Sequence, residues 1–511
     1  MICMKSPETN NLGKRIADLR EAAGMTQTEL ARKLKTTQSA VARIEAGKQN
    51  ISTDTIKKLS RALGRNVLSL SVGSLSLEIV GGKKLHGTIE TNTSKNGAVG
   101  LLCASLLNKG KTTLRRMPRI EEVHRIIEVL ESIGTSVVWQ GSDIVITPPK
   151  KQQLEKIDKE AAVKTRSIIM FIGALMHRFD KFSLPQSGGC KLGSRTVRPH
   201  FYALEHFGVD INTTENAFEV KVAPRKAKEK EREVILYESG DTVTENALFA
   251  AALTPGRTVI KYATSNYMVQ EVCAFLMKAG VSIEGVGTTT LIVDGLAEFD
   301  MNIEYTLSED PTDSMFFLTS AIVTNSAITI TRCPIDFLEL ELLVLKKMGF
   351  KYEQSKPYLS ENGLTKLVDI KTKPSKLIAP PEKVHSRPYP GLNADNLPFF
   401  AVIATQAEGQ TLIHDWMYEK RALYFTELDK LGGDTLLADP HRIYINGRTP
   451  LKAAELISPP ALRPATILLI AMLGAEGRSV LRNIYSINRG YEKLVERLSS
   501  LGAEIKYMEE F

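Results

Sequence analysis

The sequence predicts two architectures in one chain: a small all-α helix-turn-helix head, then an α/β body of two lobes built from six repeats. Three observations carry this reading. At 511 residues the chain is too long for a single core. Its net charge of +8 is concentrated near the start, where positions 12–66 hold twelve Lys or Arg against five Asp or Glu. Further on, an amphipathic helix closed by Gly and followed by a strand recurs at intervals of roughly 70–80 residues. A basic module joined to a nearly neutral body points to a polyanionic partner for the module.

Composition excludes several classes. With 43% hydrophobic and 24% charged residues the chain is an ordinary globular protein. Its five cysteines (3, 103, 190, 273 and 333) have no CxxC pairing and no metal-ligand spacing. A reduced, cytoplasmic protein with no metal and no cofactor is expected. The start, MICMKSPETN, lacks a basic-then-apolar leader, and no apolar run reaches membrane length, so no membrane association is expected.

In the head, Leu12, Ile16, Leu19 and Ala23 share one helical face, and Gly24 ends that helix. Thr26 caps a second helix, with Glu29 at the capping-box position. A third helix, QSAVARIEAG, follows the short turn KTT, and Asn50–Ser52 leads into a fourth, TDTIKKLSRALG. The stretch MTQTELARKLKTTQSAVARIEAGKQNISTDTIKKLSRALG resembles Cro/repressor-type helix-turn-helix domains. That resemblance implies duplex DNA as partner, with Gln27 at a phosphate and Gln38, Ser39 and Arg43 along the groove, while Ala31, Val41 and Ile44 form core. It also implies a homodimer, since one such domain binds DNA weakly. A helical bundle for protein contacts is the alternative. The head is expected over residues 1–70, a linker over 71–76 and the body over 77–511.

The body's six copies are HRIIEVLESIGTSVVW, FYALEHFGVDINTT, VCAFLMKAGVSIEGV, LLVLKKMGFKYEQ, YFTELDKLGGDTLLA and LVERLSSLGAEIKYM. Gly134, Gly208, Gly280, Gly349, Gly432 and Gly502 would each supply a left-handed helix cap. A second apolar helix and strand precede each copy, so the unit is helix–strand–helix–strand. A generic α/β solenoid would have shorter repeats. Between the second unit's strands lies LPQSGGCKLGSRTVRPH, residues 184–200. A thiol on a Gly loop among cations has its thiolate stabilised, small residues let a ligand approach the backbone, and arginines suit phosphate and carboxylate. Taken alone, a Cys beside a loop is more often a buried structural thiol, and the rest of the sequence decides against that reading.

Six such units around a GG-Cys loop resemble the enolpyruvyl transferase family, and within it the branch acting on UDP-N-acetylglucosamine. The resemblance runs from about Leu77 to the C-terminus. It implies an inside-out α/β barrel fold, with lobe 1 at about 95–289 and lobe 2 at about 77–94 plus 290–511. It also implies transfer of the enolpyruvyl group of phosphoenolpyruvate to the 3-hydroxyl of UDP-N-acetylglucosamine or a related sugar nucleotide, with release of phosphate. Such chemistry needs a general acid, a general base and cations for a phosphate and a carboxylate. By resemblance Cys190 donates the proton and Asp395 deprotonates the acceptor. Lys95 and Asn96, read just before a helix, with Arg195, Arg421 and Arg489, seat phosphoenolpyruvate, and Arg463 reaches into the cleft. Arg166, Thr196, Val197, Arg198 and Met417 contact the acceptor.

Three departures stand out. Arg198 occupies a position where the family has an acid, Glu238 one usually given to Lys, and Ala461 replaces the Asp of a DLR motif. They leave two readings: an active transferase with a DNA-binding head, or a transcription regulator whose transferase-like body senses phosphoenolpyruvate or a sugar nucleotide. Retention of Cys190 and Asp395 favours the enzyme, because a sensor needs neither an acid nor a base.

Overall fold

Helices that are apolar all round must be enclosed by other elements, and this chain has several. Pro311–Val323 and Leu397–Ala404 are buried at every residue, and Leu462–Gly474 at nearly every one. Lys95–Ala104 and Asp241–Ala252 are almost as deeply covered. The computed structural model describes residues 75–186, 196–224 and 231–508, and in the head most of 16–46 together with 55, 58, 59, 62 and 63. The chain divides into two compact units, Met1–Leu75 and Ser76–Glu509.

In the head, Thr26 N–H donates to Glu29 Oε2 (2.7 Å) and Glu29 N–H donates to Thr26 Oγ1 (3.2 Å). This reciprocal cap opens Gln27–Leu34. Thr37 Oγ1 accepts from Ala40 N–H and opens Gln38–Glu45. Ile16, Leu30, Ala31, Val41, Ile44, Leu59 and Leu63 form one core. The expected stretch from Asn50 to Ser52, and most of the helix after it, lie outside the described residues.

The body has two hydrophobic cores. One runs from Ala98 to Leu307, and the other joins Leu77–Ile89 to Met315–Ile505. Among the described residues the strands form six sheets, three against each core. The first core therefore extends beyond the expected boundary near residue 289. Thr290–Gly295 pairs antiparallel with Gly256–Lys261, and Ile303–Thr306 pairs in parallel with Thr112–Arg115. The repeat pattern locates helices and their glycines, but not which neighbour a strand joins. Ser76–Gly81 lies between Gly477–Arg482 and Glu504–Met508, so the body's first strand is hydrogen-bonded to its last. The six helix-closing glycines all have positive φ, from 78° to 95°. The expected amphipathic α-helix over YFTELDKL is a 3-10 helix, Arg421–Leu431.

Candidate active site

Chain segments 91–96 and 306–310 cross between the two cores side by side. Ser94 N–H donates to Ser308 O and Asp310 N–H to Asn92 O. They bring the start of Lys95–Ala104 to a cleft of about 720 Å³ lined from both lobes. Ser94 Oγ caps that helix by accepting from Gly97 N–H (2.8 Å), so Lys95 and Asn96 are its first turn and not the residues before it.

Cations crowd the cleft, several of them held by a carboxylate. Lys95 Nζ is 3.4 Å from Glu122 Oε2, and Arg489 Nε lies 3.6 Å from the same oxygen. Burial works against ionisation of Glu122, but Lys95 and Arg489 hold its carboxyl below the ordinary value. Arg421 is fully enclosed: its Nε and Nη2 donate to Asp415 (2.5 and 2.9 Å) and Nη2 also donates to Ala394 O. Its guanidinium stacks on Tyr418. Arg463 donates to Tyr491 Oη (2.8 Å), Thr312 Oγ1 (2.9 Å) and Asp395 Oδ2 (3.2 Å). Burial opposes ionisation of Asp395 too, yet Arg463, Arg421 and Lys95 keep it below the usual carboxylate range. The centre therefore holds an anion that can accept a proton, among fixed cations that would meet an anionic substrate.

Lobe 1 supplies the opposite wall. Arg166 Nη2 donates to Thr196 O (3.0 Å), and Asn96 Nδ2 donates to Tyr267 Oη (3.2 Å). His200 sits beneath, its Nδ1 at Asn246 Nδ2 and its Nε2 at Thr242 Oγ1. Burial, reinforced by the Arg166 charge, lowers its pKa to about 3, so it is a neutral structural group. Glu238, Asp241 and Glu245 line this wall, and Glu245 is buried with Oε1 lacking a hydrogen-bond partner.

The cleft thus brings together Lys95, Asn96, Arg166, Thr196, Asp395, Met417, Arg421, Arg463 and Arg489. Val197 packs against the first core, and Arg198 begins helix Arg198–Glu205; neither is among the lining residues. Cys190 and Arg195 lie outside the described residues. Sequence reasoning missed Glu122, Asp415 and Glu245. Glu122 looks like any acid in a helix's first turn, and Glu245 follows a threonine in an apolar helix. Their partners lie far away in the chain.

Two α/β lobes around a cleft of paired cations and a half-buried carboxylate fit the enolpyruvyl transferase class, and the chain is a transferase of that class with a helix-turn-helix head. Residues 79–498 match the family EPSP synthase (3-phosphoshikimate 1-carboxyvinyltransferase), and the chain belongs to it. Residues 16–70 match the helix-turn-helix family. Among similar proteins, UDP-N-acetylglucosamine 1-carboxyvinyltransferase of Treponema denticola is 34% identical over 84% of this chain and 99% of its own. The protein of that name from Bradyrhizobium diazoefficiens is 32% identical over 84% and 98%. Among solved structures, the enolpyruvyl transferase NikO from Streptomyces tendae shares the fold, with TM-score 0.74, 22% identity, and coverage of 86% of this chain and all of its own.

Proposed function

We propose that the body transfers the enolpyruvyl group of phosphoenolpyruvate to a hydroxyl of UDP-N-acetylglucosamine or a related sugar nucleotide, and that the head binds duplex DNA as part of a homodimer. The observation that carries the catalytic half is Asp395, an ionised carboxylate opening on the cleft and held by Arg463. The printed names of the relatives at 34% and 32% identity point to the same acceptor. In this reading Asp395 takes the proton of the acceptor hydroxyl while its oxygen attacks carbon 2. Cys190 gives a proton to carbon 3, completing the addition. Loss of a carbon 3 proton and departure of phosphate then restore the double bond. Lys95, Arg195, Arg421, Arg463 and Arg489 offset the charge of phosphate and carboxylate, while Arg166, Thr196 and Met417 serve the acceptor. We read the body as six copies of one unit in an inside-out barrel, a reading that the six left-handed glycines support.

Ala461 favours the second reading, a ligand-sensing regulator: it begins helix Leu462–Gly474 without any side-chain cap where the family's Asp would stand. Phosphate release from phosphoenolpyruvate with UDP-N-acetylglucosamine separates the two. Saturable release, lost in Asp395→Ala with phosphoenolpyruvate still bound, is expected. Binding of both ligands with no release, under conditions where a relative turns over, would leave the regulator.

A further inference from the structure

Beside the cleft, on the second lobe, lies an open recess of about 560 Å³ lined by Lys383, His385, Arg387, Pro388, His414 and Trp416. Arg387, Pro388 and Trp416 also line the cleft, so the two spaces share a wall. The recess is built by strand pairing: Val384–His385 runs parallel to Ala407–His414, with His385 directly opposite His414. Arg387 Nε donates to His385 Nε2 (2.7 Å), so that imidazole is locked as an acceptor. Trp416 Nε1 donates to Ser386 O (2.7 Å), which pins the indole while 49% of the residue stays exposed.

Its charge is one-sided. None of the six lining side chains is acidic. The nearest acid acting on His414, Asp439, is itself held by Arg442 (2.6 Å). Burial, and then the positive charges of Arg387 and Lys383, hold His385 below its ordinary pKa. The same happens at His414, through burial, Lys383 and Arg442. In the cleft Lys95, Arg489, Arg421 and Arg463 each lie beside a carboxylate, Lys95 and Arg489 sharing Glu122. Here Lys383 and Arg387 converge on open space with no carboxylate among the described lining residues. Clustered like charges repel, and such an arrangement is stabilised by an anion. A pinned, half-exposed indole beside it offers a flat face to a ring.

We propose that this recess is a second ligand site, for the phosphate of a mononucleotide whose base lies on Trp416, separate from the seats of phosphoenolpyruvate and acceptor. Lys383 and Arg387 meet the phosphate as charges, Arg387 through the guanidinium nitrogens that its bond to His385 leaves over, and His414 adds a further polar edge. Because Arg387 and Trp416 face both spaces, occupancy of the recess bears on the cleft.

Trp416 reports on the two spaces that it lines, and the variants below tell them apart; the chain has two tryptophans, Trp139 being the other. In the full chain carrying Trp139→Phe, titration with UMP or AMP should give a saturable change in emission, and ribose 5-phosphate should bind at least about fivefold more weakly. Lys383→Ala with His414→Ala, which touch only the recess, should weaken UMP at least tenfold. Arg166→Ala, on the cleft wall, should leave the constant within twofold. The reverse pattern would put UMP in the cleft and overturn the proposal, as would equal responses to sulfate at matched ionic strength. Should Trp139→Phe fold poorly, the wild-type response and its disappearance in Trp416→Phe give the same reading. Phosphate release measured on the same preparations keeps the two ideas apart. Turnover without a Trp416 response removes the recess alone, and a response without turnover removes the transferase alone.

Discussion

At the residue scale, two buried groups in the first lobe titrate in opposite directions. Burial, helped by Arg166, lowers His200 to about 3. Unfolded, it titrates near 6.5, so below that pH the unfolded chain takes up a proton that the native one refuses, and stability is lost down to about pH 3. Glu271 is the converse. Burial raises it to about 7 despite the Ser308 N–H donated to its Oε1. Between pH 7 and 4.5 the native state takes up a proton the unfolded chain does not, so stability rises as pH falls through that window. From 6.5 to 4.5 the two offset, and below 4.5 the loss at His200 is unopposed. Glu271→Gln keeps the Ser308 bond and removes the buried charge. Denaturant unfolding should show a gain of up to about 3 kcal/mol above pH 7 and acid loss beginning already near pH 6.5. An unchanged pH profile would mean that Glu271 does not titrate in this range. In the cleft, Asp395→Ala should lower turnover by about 10²-fold or more, read by phosphate release under saturating substrates.

At the element scale, one close approach recurs at strand ends. A Cβ on Gly295 would sit 2.1 Å from Thr254 O, on Gly447 2.1 Å from Ala407 O, and on Gly81 2.0 Å from Met472 O. Each glycine lets a strand end press against the last turn of an apolar helix, or the chain just beyond it. Gly295→Ala should therefore cost more than about 2 kcal/mol, because the obstacle is backbone and cannot swing away; denaturant midpoints check this, and a neutral result would show that the helix end can shift. Ala461 is the converse case, an extended residue at a helix start without a cap. Ala461→Asp should add about 1 kcal/mol by accepting an N–H of the first turn. The glycines that end helices were legible, because a left-handed cap is a local requirement written beside the helix it closes. So were Lys95, Asp395, Arg421, Arg463 and Arg489, through the resemblance to the family. The strand-end glycines, Glu122 and the strand exchange past residue 289 were not, since each depends on a partner distant in the chain. Val197 and Arg198 sit in the right loop, but helix Arg198–Glu205 starts there and sets them off the cleft lining.

At the scale of the whole molecule, the head should bind duplex DNA with an affinity that falls steeply with salt, as Lys and Arg release counterions from phosphates. Within it Gln38 Nε2 donates to Gln27 Oε1 (2.6 Å) and Gln27 Nε2 to Glu45 Oε2 (2.8 Å), and Glu45 is paired with Arg20. Gln38→Ala should thus reduce discrimination between sequences more than overall binding, measured with several duplexes at fixed salt; equal losses on all of them would assign Gln38 to positioning. The body's strand arrangement has another consequence. Ser76–Gly81 finds both its neighbours, Gly477–Arg482 and Glu504–Met508, only in the last forty residues of the chain. During synthesis the ribosome delivers the head and every element of the first core before that sheet can close. The segment joined directly to the head must wait, unpaired, until residues 477–508 have been made. The second lobe is therefore closed along its oldest strand only by residues 477–508, and a chain that lacks them leaves the lobe open there.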